Sequence, residues 1–360
     1  MSGKTTHKFL PQLEGLRAFA ILAVIVAHWQ ADGNPYEYWI RWAGVFGITY
    51  FFVLSGFLIG GIVLKENELL VQKNSKTIWL LLKVFFARRA LRIFPIYYLT
   101  IIILLVVGFP LFISDVFPWL FLHISNWYIF FHGWIWPTTH FWSLAVEEHF
   151  IIILPILIFF IPKKYTLYAI LGMIAIGILS RITLYHTHEE FYHIITFSSF
   201  DSLGLGVLLA YFTMRYKNLP KMKWILIIAL VLYWFLPLPT FYYFSGKTFL
   251  KNAIPSAALA SVALVYYASK GITNKVAKLF LENKIALYIG KISYGLYIYH
   301  NLIPYFTNYL FKQFTVFPSV IITDGINASV LLIIASFSYY VIEKPIYSLK
   351  KHFKYKYDLA

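Results

Sequence analysis

Apolar runs close to the length that crosses a bilayer recur along this whole chain, and they constrain its fold more than any other feature. A helix needs roughly 20 predominantly apolar residues to span the hydrocarbon, and residues 45–64, 93–113, 141–161 and 222–238 are runs of that kind. Sixty per cent of the 360 residues are hydrophobic and only 13% are charged, where soluble domains carry about a quarter charged. One water-soluble core could not hide that much apolar surface. The sequence therefore predicts an all-α, polytopic transmembrane helix bundle.

The formal charge of +16 would suggest nucleic acid in a soluble protein. Here the basic residues cluster between apolar runs, as cytoplasmic loops do, so no nucleic-acid partner is expected. The chain has no cysteine, which excludes disulfides, thiolate metal sites and a cysteine nucleophile. The first apolar segment begins after Arg17 and lacks a small-residue cleavage site, so it reads as a retained first span.

Ten spans are predicted, at 17–32, 43–64, 93–113, 141–161, 165–180, 194–214, 222–238, 249–268, 285–310 and 318–342. Residues 116–131 are apolar enough to make an eleventh, and the excess of Lys and Arg in cytoplasmic loops decides against it. With that segment kept outside and the N-terminus inside, 25 cations face the cytoplasm and five face out, with Arg41 and Arg181 in the outer set. Letting it cross gives 14 inside and 16 outside. Both termini are then cytoplasmic. Trp119, His123, Trp127, His132 and Trp134 fall in an outer interfacial or re-entrant segment, where aromatic rings are comfortable. One domain over 1–360 is expected, with a basic cytoplasmic tail at about 344–360 lying against anionic lipid.

Charges within spans are costly and mark functional sites. Arg17 and His28 lie eleven residues apart, which returns nearly to the same helical face. A flanking, snorkelling arginine and an interfacial histidine would give the same spacing. Glu147, Glu148 and His149 sit together in the outer half of a span, and Ser143 shares a face with Glu147. A buried ion pair between helices is the alternative. Arg88 and Arg92, four apart before Pro95, suit phosphate oxygens held by guanidinium forks, whether from a ligand or from lipid headgroups. Ser293, Tyr297 and His300 share one face downstream, as a site or as helix–helix glue. Asp201 is one more charge inside a span. No metal site is expected.

Six segments in order resemble the acyltransferase 3 family of bacterial membrane proteins. They are Leu13-Glu-Gly-Leu-Arg17 with His28; Phe51-Phe-Val-Leu-Ser-Gly-Phe57; Arg88-Arg-Ala-Leu-Arg-Ile-Phe-Pro-Ile-Tyr97; Trp142-Ser-Leu-Ala-Val-Glu-Glu148; Ser293-Tyr-Gly-Leu-Tyr-Ile-Tyr-His300; and Glu343-Lys-Pro345. Glu14, His149 and Ser199 stand where aspartate, glutamine and arginine are common in the family. The chain reads as a stand-alone transferase without a fused extracytoplasmic domain.

The resemblance implies a multi-pass protein of the bacterial cytoplasmic (inner) membrane that moves an acyl group, most often acetyl, from acyl-CoA to a hydroxyl. The acceptor would be a sugar in a surface polysaccharide, lipopolysaccharide or related glycan, or a lipid-linked sugar, with a small exported molecule as the alternative. Acyl-CoA is a co-substrate, and no permanently bound cofactor is expected. His28 would be the general base, since imidazole titrates near working pH. Glu147, and secondarily Glu148, would orient it or contact the acceptor. Arg17, Arg88 and Arg92 would hold CoA phosphates, with Trp142, Ser143, Ser293, Tyr297, His300 and Glu343 in support. Membrane lipids are the other partners, and oligomers are compatible with this reading. A transporter or flippase for a lipid-linked sugar is the rival from another class.

The ten-span topology sets Trp134, Lys247 and Lys312 outside and Lys163, Lys217 and Lys278 inside. Single cysteines at these positions, in a chain that otherwise has none, should label with an impermeant reagent at the first three only. Labelling of position 278 from outside would overturn the topology.

Overall fold

The computed structural model describes residues 10–30, 35–70, 75–107, 115–188, 190–219, 221–235, 246–315 and 318–354. Lys4, Lys8, Lys73 and Lys356, together with the far ends of the spans expected at 17–32, 93–113 and 222–238, lie outside the described residues. Every regular element among them is helical. Among the described residues, seven helices are long and apolar enough to cross a membrane: Pro11–Gln30, Glu37–Leu69, Thr77–Val106, Phe141–Phe160, Lys163–Thr187, Thr196–Arg215 and Val320–His352. The segment expected to stay outside forms two short helices, Phe117–Phe121 and Ser125–His132, about 8 and 12 Å long at ~1.5 Å per residue, too short to span.

The chain packs as two compact units, residues 1–54 with 216–293 and residues 55–215 with 294–360. In the first, α1 (Pro11–Gln30) packs along the short helices Lys275–Leu281 and Lys284–Lys291. Glycine lets the backbones touch: a Cβ on Gly290 would come to 2.0 Å from the Glu14 carbonyl oxygen. The Gln12 amide then ties the connecting turns to α1, donating to the Ile272 carbonyl at 2.9 Å and to Glu282 Oε1 at 2.6 Å.

In the second unit, helices Thr166–Thr187 and Phe200–Arg215 form a tightly packed pair. Arg181, counted above with the outer loops, lies within the first of these helices. Its guanidinium grips both oxygens of Asp201, at 2.8 and 2.9 Å, with both residues buried. Pairing explains how two charges are tolerated there, and it answers the question Asp201 raised: this charge serves helix packing.

The expected span 285–310 is broken into Lys284–Lys291, Ser293–Tyr299 and Leu302–Gln313. Pro304 falls in the first turn of the last piece, where a missing N–H costs nothing. Near the C-terminus, helix Val320–Phe337 runs into a π-helical turn, Ser338–Glu343, and then the short helix Lys344–Ser348.

Close helix contact in the second unit yields a test. A Cβ at position 177 would come to 2.2 Å from the Asp201 backbone nitrogen, whereas at Gly172, on the same helix, it would meet nothing within 4 Å. Gly177→Ala should lower stability by about 1–3 kcal/mol through overpacking, and Gly172→Ala should leave it unchanged or slightly raised. Thermal unfolding of the purified variants in detergent separates them, and equal midpoints would refute the packing argument.

Candidate active site

Arg17 and His28 belong to the first unit, both on α1. Arg17 pairs with Glu14 one turn back, Nη1 to Oε1 at 3.2 Å. His28 Nδ1 lies 2.9 Å from the Val24 carbonyl. A carbonyl only accepts, so Nδ1 carries the proton and Nε2 holds the basic lone pair. The residue is exposed.

The carboxylates stand in the second unit, on helix Phe141–Phe160. Glu147 is half-buried and accepts a 2.6 Å hydrogen bond from the Ser55 hydroxyl, from a motif segment to which no role had been given. Glu148 is buried, and its Oε1 has no hydrogen-bond partner among the described residues. An unpartnered buried acceptor asks for a ligand, a water or a proton. His149 Nδ1 contacts the Thr196 hydroxyl at 2.6 Å, and Thr196 also accepts from the Asn126 amide at 3.0 Å. His149 thus braces the helix against residues 194–199 instead of facing the same way as the carboxylates.

Ser143 and Tyr297, picked from separate motifs, are in direct hydrogen-bond contact, and Tyr297 also donates to the His140 carbonyl at 3.0 Å. His140, which precedes the Trp142–Glu148 motif and so carries no sequence signal of its own, centres this cluster. Its Nε2 lies 3.1 Å from the Ile298 carbonyl, and its Nδ1 accepts from the Asn301 amide at 3.2 Å. His300 is fully buried and donates from Nδ1 to the Tyr297 carbonyl at 2.6 Å. Trp142 stands edge-on to His193, with ring centroids 5.8 Å apart. Ser293, the last residue of the first unit, is buried, and its hydroxyl has no hydrogen-bond partner among the described residues.

Glu343 meets the Ser293–His300 motif through the π-helical turn. Its Oε1 accepts from the Ser338 hydroxyl at 3.0 Å and would lie 3.3 Å from a Cβ on Gly295. Ser338 in turn accepts from the Tyr299 phenol at 3.3 Å. Wide turns of this kind occur often at functional sites.

The arginines of helix Ser75–Val106 meet the C-terminal segment. Arg88 Nε donates to the Phe353 carbonyl at 2.6 Å, which ties the helix to that segment through one of the five N–H donors of the guanidinium. Arg92 acts electrostatically on the Tyr347 phenol, and it does so with Arg89, which the i, i+4 argument had passed over.

An apolar groove of about 420 Å³, walled by Trp127, Phe130, Ile176, Leu179 and Phe197 among others, carries no titratable side chain and so no chemistry of this kind.

A family model, of the acyltransferase domain, matches residues 10–342. The chain belongs to the acyltransferase 3 family. Among similar proteins, O-acetyltransferase OatA of Staphylococcus aureus strain NCTC 8325 is 30% identical over 96% of this chain and 58% of its own length. A provisionally named O-acetyltransferase of Staphylococcus aureus strain COL is 29% identical over 94% of this chain and 57% of its own. The chain therefore spans somewhat over half the length of these relatives. No solved structure matches it. Family membership and the several helices able to cross a bilayer make this a multi-pass membrane protein.

Two histidines outside the long helices give the fold an acid limit. His123, at the bend between the two short helices, has a left-handed φ of 56°, stacks on Tyr97 at 3.9 Å and is buried. Burial, with His149 nearby, lowers its pKa from 6.5 to about 4. Burial and the Arg181 charge lower that of His193 to about 3. Above pH 6.5 both rings are neutral whether the chain is folded or not. Below it, the unfolded chain takes up protons that the folded one refuses, so stability falls as pH drops from 6.5 toward 4. Thermal midpoints should decline over that window, and less steeply in His123→Asn/His193→Asn. Equal slopes in the two proteins would refute the assignment.

Proposed function

We propose that this protein is an O-acetyltransferase of the bacterial cytoplasmic membrane, taking acetyl from acetyl-CoA and placing it on a sugar hydroxyl of a surface glycan. The observation that carries the reading is His28, an imidazole whose Nδ1–H is held by the Val24 carbonyl, in a chain of an acyltransferase family. The names of the relatives support transfer to oxygen.

In this reading Nε2 of His28 removes the proton from the acceptor hydroxyl as its oxygen attacks the thioester carbonyl. The new C–O bond forms, the C–S bond breaks, and the thiolate of CoA leaves and is protonated from the imidazolium. A general base of this kind contributes about 10²–10⁴-fold. Glu147, fixed by Ser55, takes the acceptor-contacting role. Arg17, Arg88 and Arg92 take CoA phosphates, and Arg89 joins them. Ten spans with both termini cytoplasmic would bring the donor from the cytoplasm, and the positive-inside charge distribution supports that sidedness.

A chain without cysteine makes the test clean, because any thiol detected comes from CoA. Purified protein with acetyl-CoA and polysaccharide from the host surface should release free thiol with acceptor-dependent kinetics. His28→Ala should lose about 10²–10⁴-fold in rate while still binding CoA, and His28→Gln, unable to take a proton, should be equally impaired. Near wild-type turnover by His28→Ala would remove the base from the mechanism.

A further inference from the structure

The basic C-terminal segment does more than extend along a lipid surface. Helix Lys344–Ser348 and the turn after it pack back onto helix Ser75–Val106, within the same unit. Arg88 holds the segment by its 2.6 Å bond to the Phe353 carbonyl. Tyr347 lies on this packed segment, where the charges of Arg92, Lys350 and Arg89 act on its phenol. The Lys350 ammonium lies 3.9 Å from the Tyr347 ring centroid.

Three cations thus act on one phenol, and Lys350 lies over its ring. Arg92 and Lys350 form no ion pair among the described residues. Lys350 is exposed, while Arg92 and Tyr347 are half-buried, so the group is open to a ligand. Arg89 already has the Glu148 carboxylate within electrostatic reach, while the charges of Arg92 and Lys350 are offset where an anion joins them. Guanidinium groups, an ammonium and a phenol O–H together offer the donors that phosphate oxygens accept.

We propose that residues 344–353 form the second wall of a phosphate-binding site whose first wall is Arg89 and Arg92, with Tyr347 and Lys350 as its ligands and Arg88 as the strap that holds the wall in place. The ligand is a phosphate group of CoA; this assignment rests on the donor reading above. An anionic lipid headgroup has the same phosphate chemistry, and the experiment separates the two sources.

The full chain in nanodiscs of phosphatidylcholine, which carry no net charge, is titrated with CoA by calorimetry. Lys350→Ala should weaken CoA binding about tenfold, the loss expected for one hydrogen bond to a charged group. Lys350→Arg should restore most of it. Arg88→Ala should also weaken binding by releasing the segment, and the gap between wild type and Lys350→Ala should close at high salt, as screening of the lost charge requires. Retention of phosphatidylglycerol, read by native mass spectrometry, should not change. Unaltered CoA affinity in monodisperse Lys350→Ala and Tyr347→Phe proteins would overturn the second wall and leave the donor reading standing. Loss of phosphatidylglycerol retention with unchanged CoA affinity would give the site to a lipid headgroup. Failure of the wild type to bind CoA would overturn the donor reading and this site with it.

Discussion

A polar side chain deep in a membrane-spanning helix has no water to turn to, and the partner it must find inside the protein fixes how the helices meet. Arg181 and Asp201 show the demand at its strongest. Removing one member of such a buried pair typically costs about 3–5 kcal/mol, because the other is left charged and alone. The pair therefore pins two neighbouring helices in register, and Gly177 lets their backbones close to within reach of each other. The same pressure builds the milder contacts of the second unit. Ser55 serves Glu147, Tyr297 serves Ser143 and the His140 carbonyl, and Ser338 serves Glu343. Glu148 Oε1, left without a protein partner among the described residues, stands out against that background.

Much of this was legible in the sequence because hydropathy is a local property. Apolar runs showed helices that cross, and the helices at 11–30, 37–69, 141–160 and 196–215 each contain or overlap a predicted span. The break of 285–310 was not legible. An averaging window sees only mean polarity, and Lys291 and Pro304 disappear into the surrounding apolar residues. Arg181 was misread for a related reason: an arginine at the edge of a run looks like a loop cation until its partner, twenty residues on, is known. Among the site residues, each motif was visible alone, but which motifs touch was not. Ser143 with Tyr297, and Gly295 with Glu343, are contacts over long stretches of chain that no spacing rule encodes.

The arginine cluster shows where helical phase stops being decisive. Positions four apart differ by about 40° on a helix and positions three apart by about 60° in the other sense. Arg88 with Arg92 and Arg89 with Arg92 are thus nearly equal choices from geometry within one helix. The segment packed alongside makes the decision. It offers a backbone carbonyl to Arg88, and it carries the Tyr347 phenol on which the charges of Arg89 and Arg92 act.

Histidines present the same problem, and their hydrogen bonds resolve it. A base needs an unprotonated nitrogen and room for a substrate beside it. His140 uses both ring nitrogens inside the protein, Nε2–H toward the Ile298 carbonyl and Nδ1 toward the Asn301 amide, and it is buried. Such a ring organises its neighbours and has no nitrogen left for chemistry. His300 has its Nδ1 proton on the Tyr297 carbonyl, which leaves Nε2 basic, but the ring is fully buried. His28 shares that tautomer, fixed by the carbonyl of Val24 one turn earlier, and differs in being exposed. The tautomer follows from the helix itself, since a carbonyl four residues back can only accept. Of these three rings, only that of His28 is exposed, which is why the mechanism places the proton there.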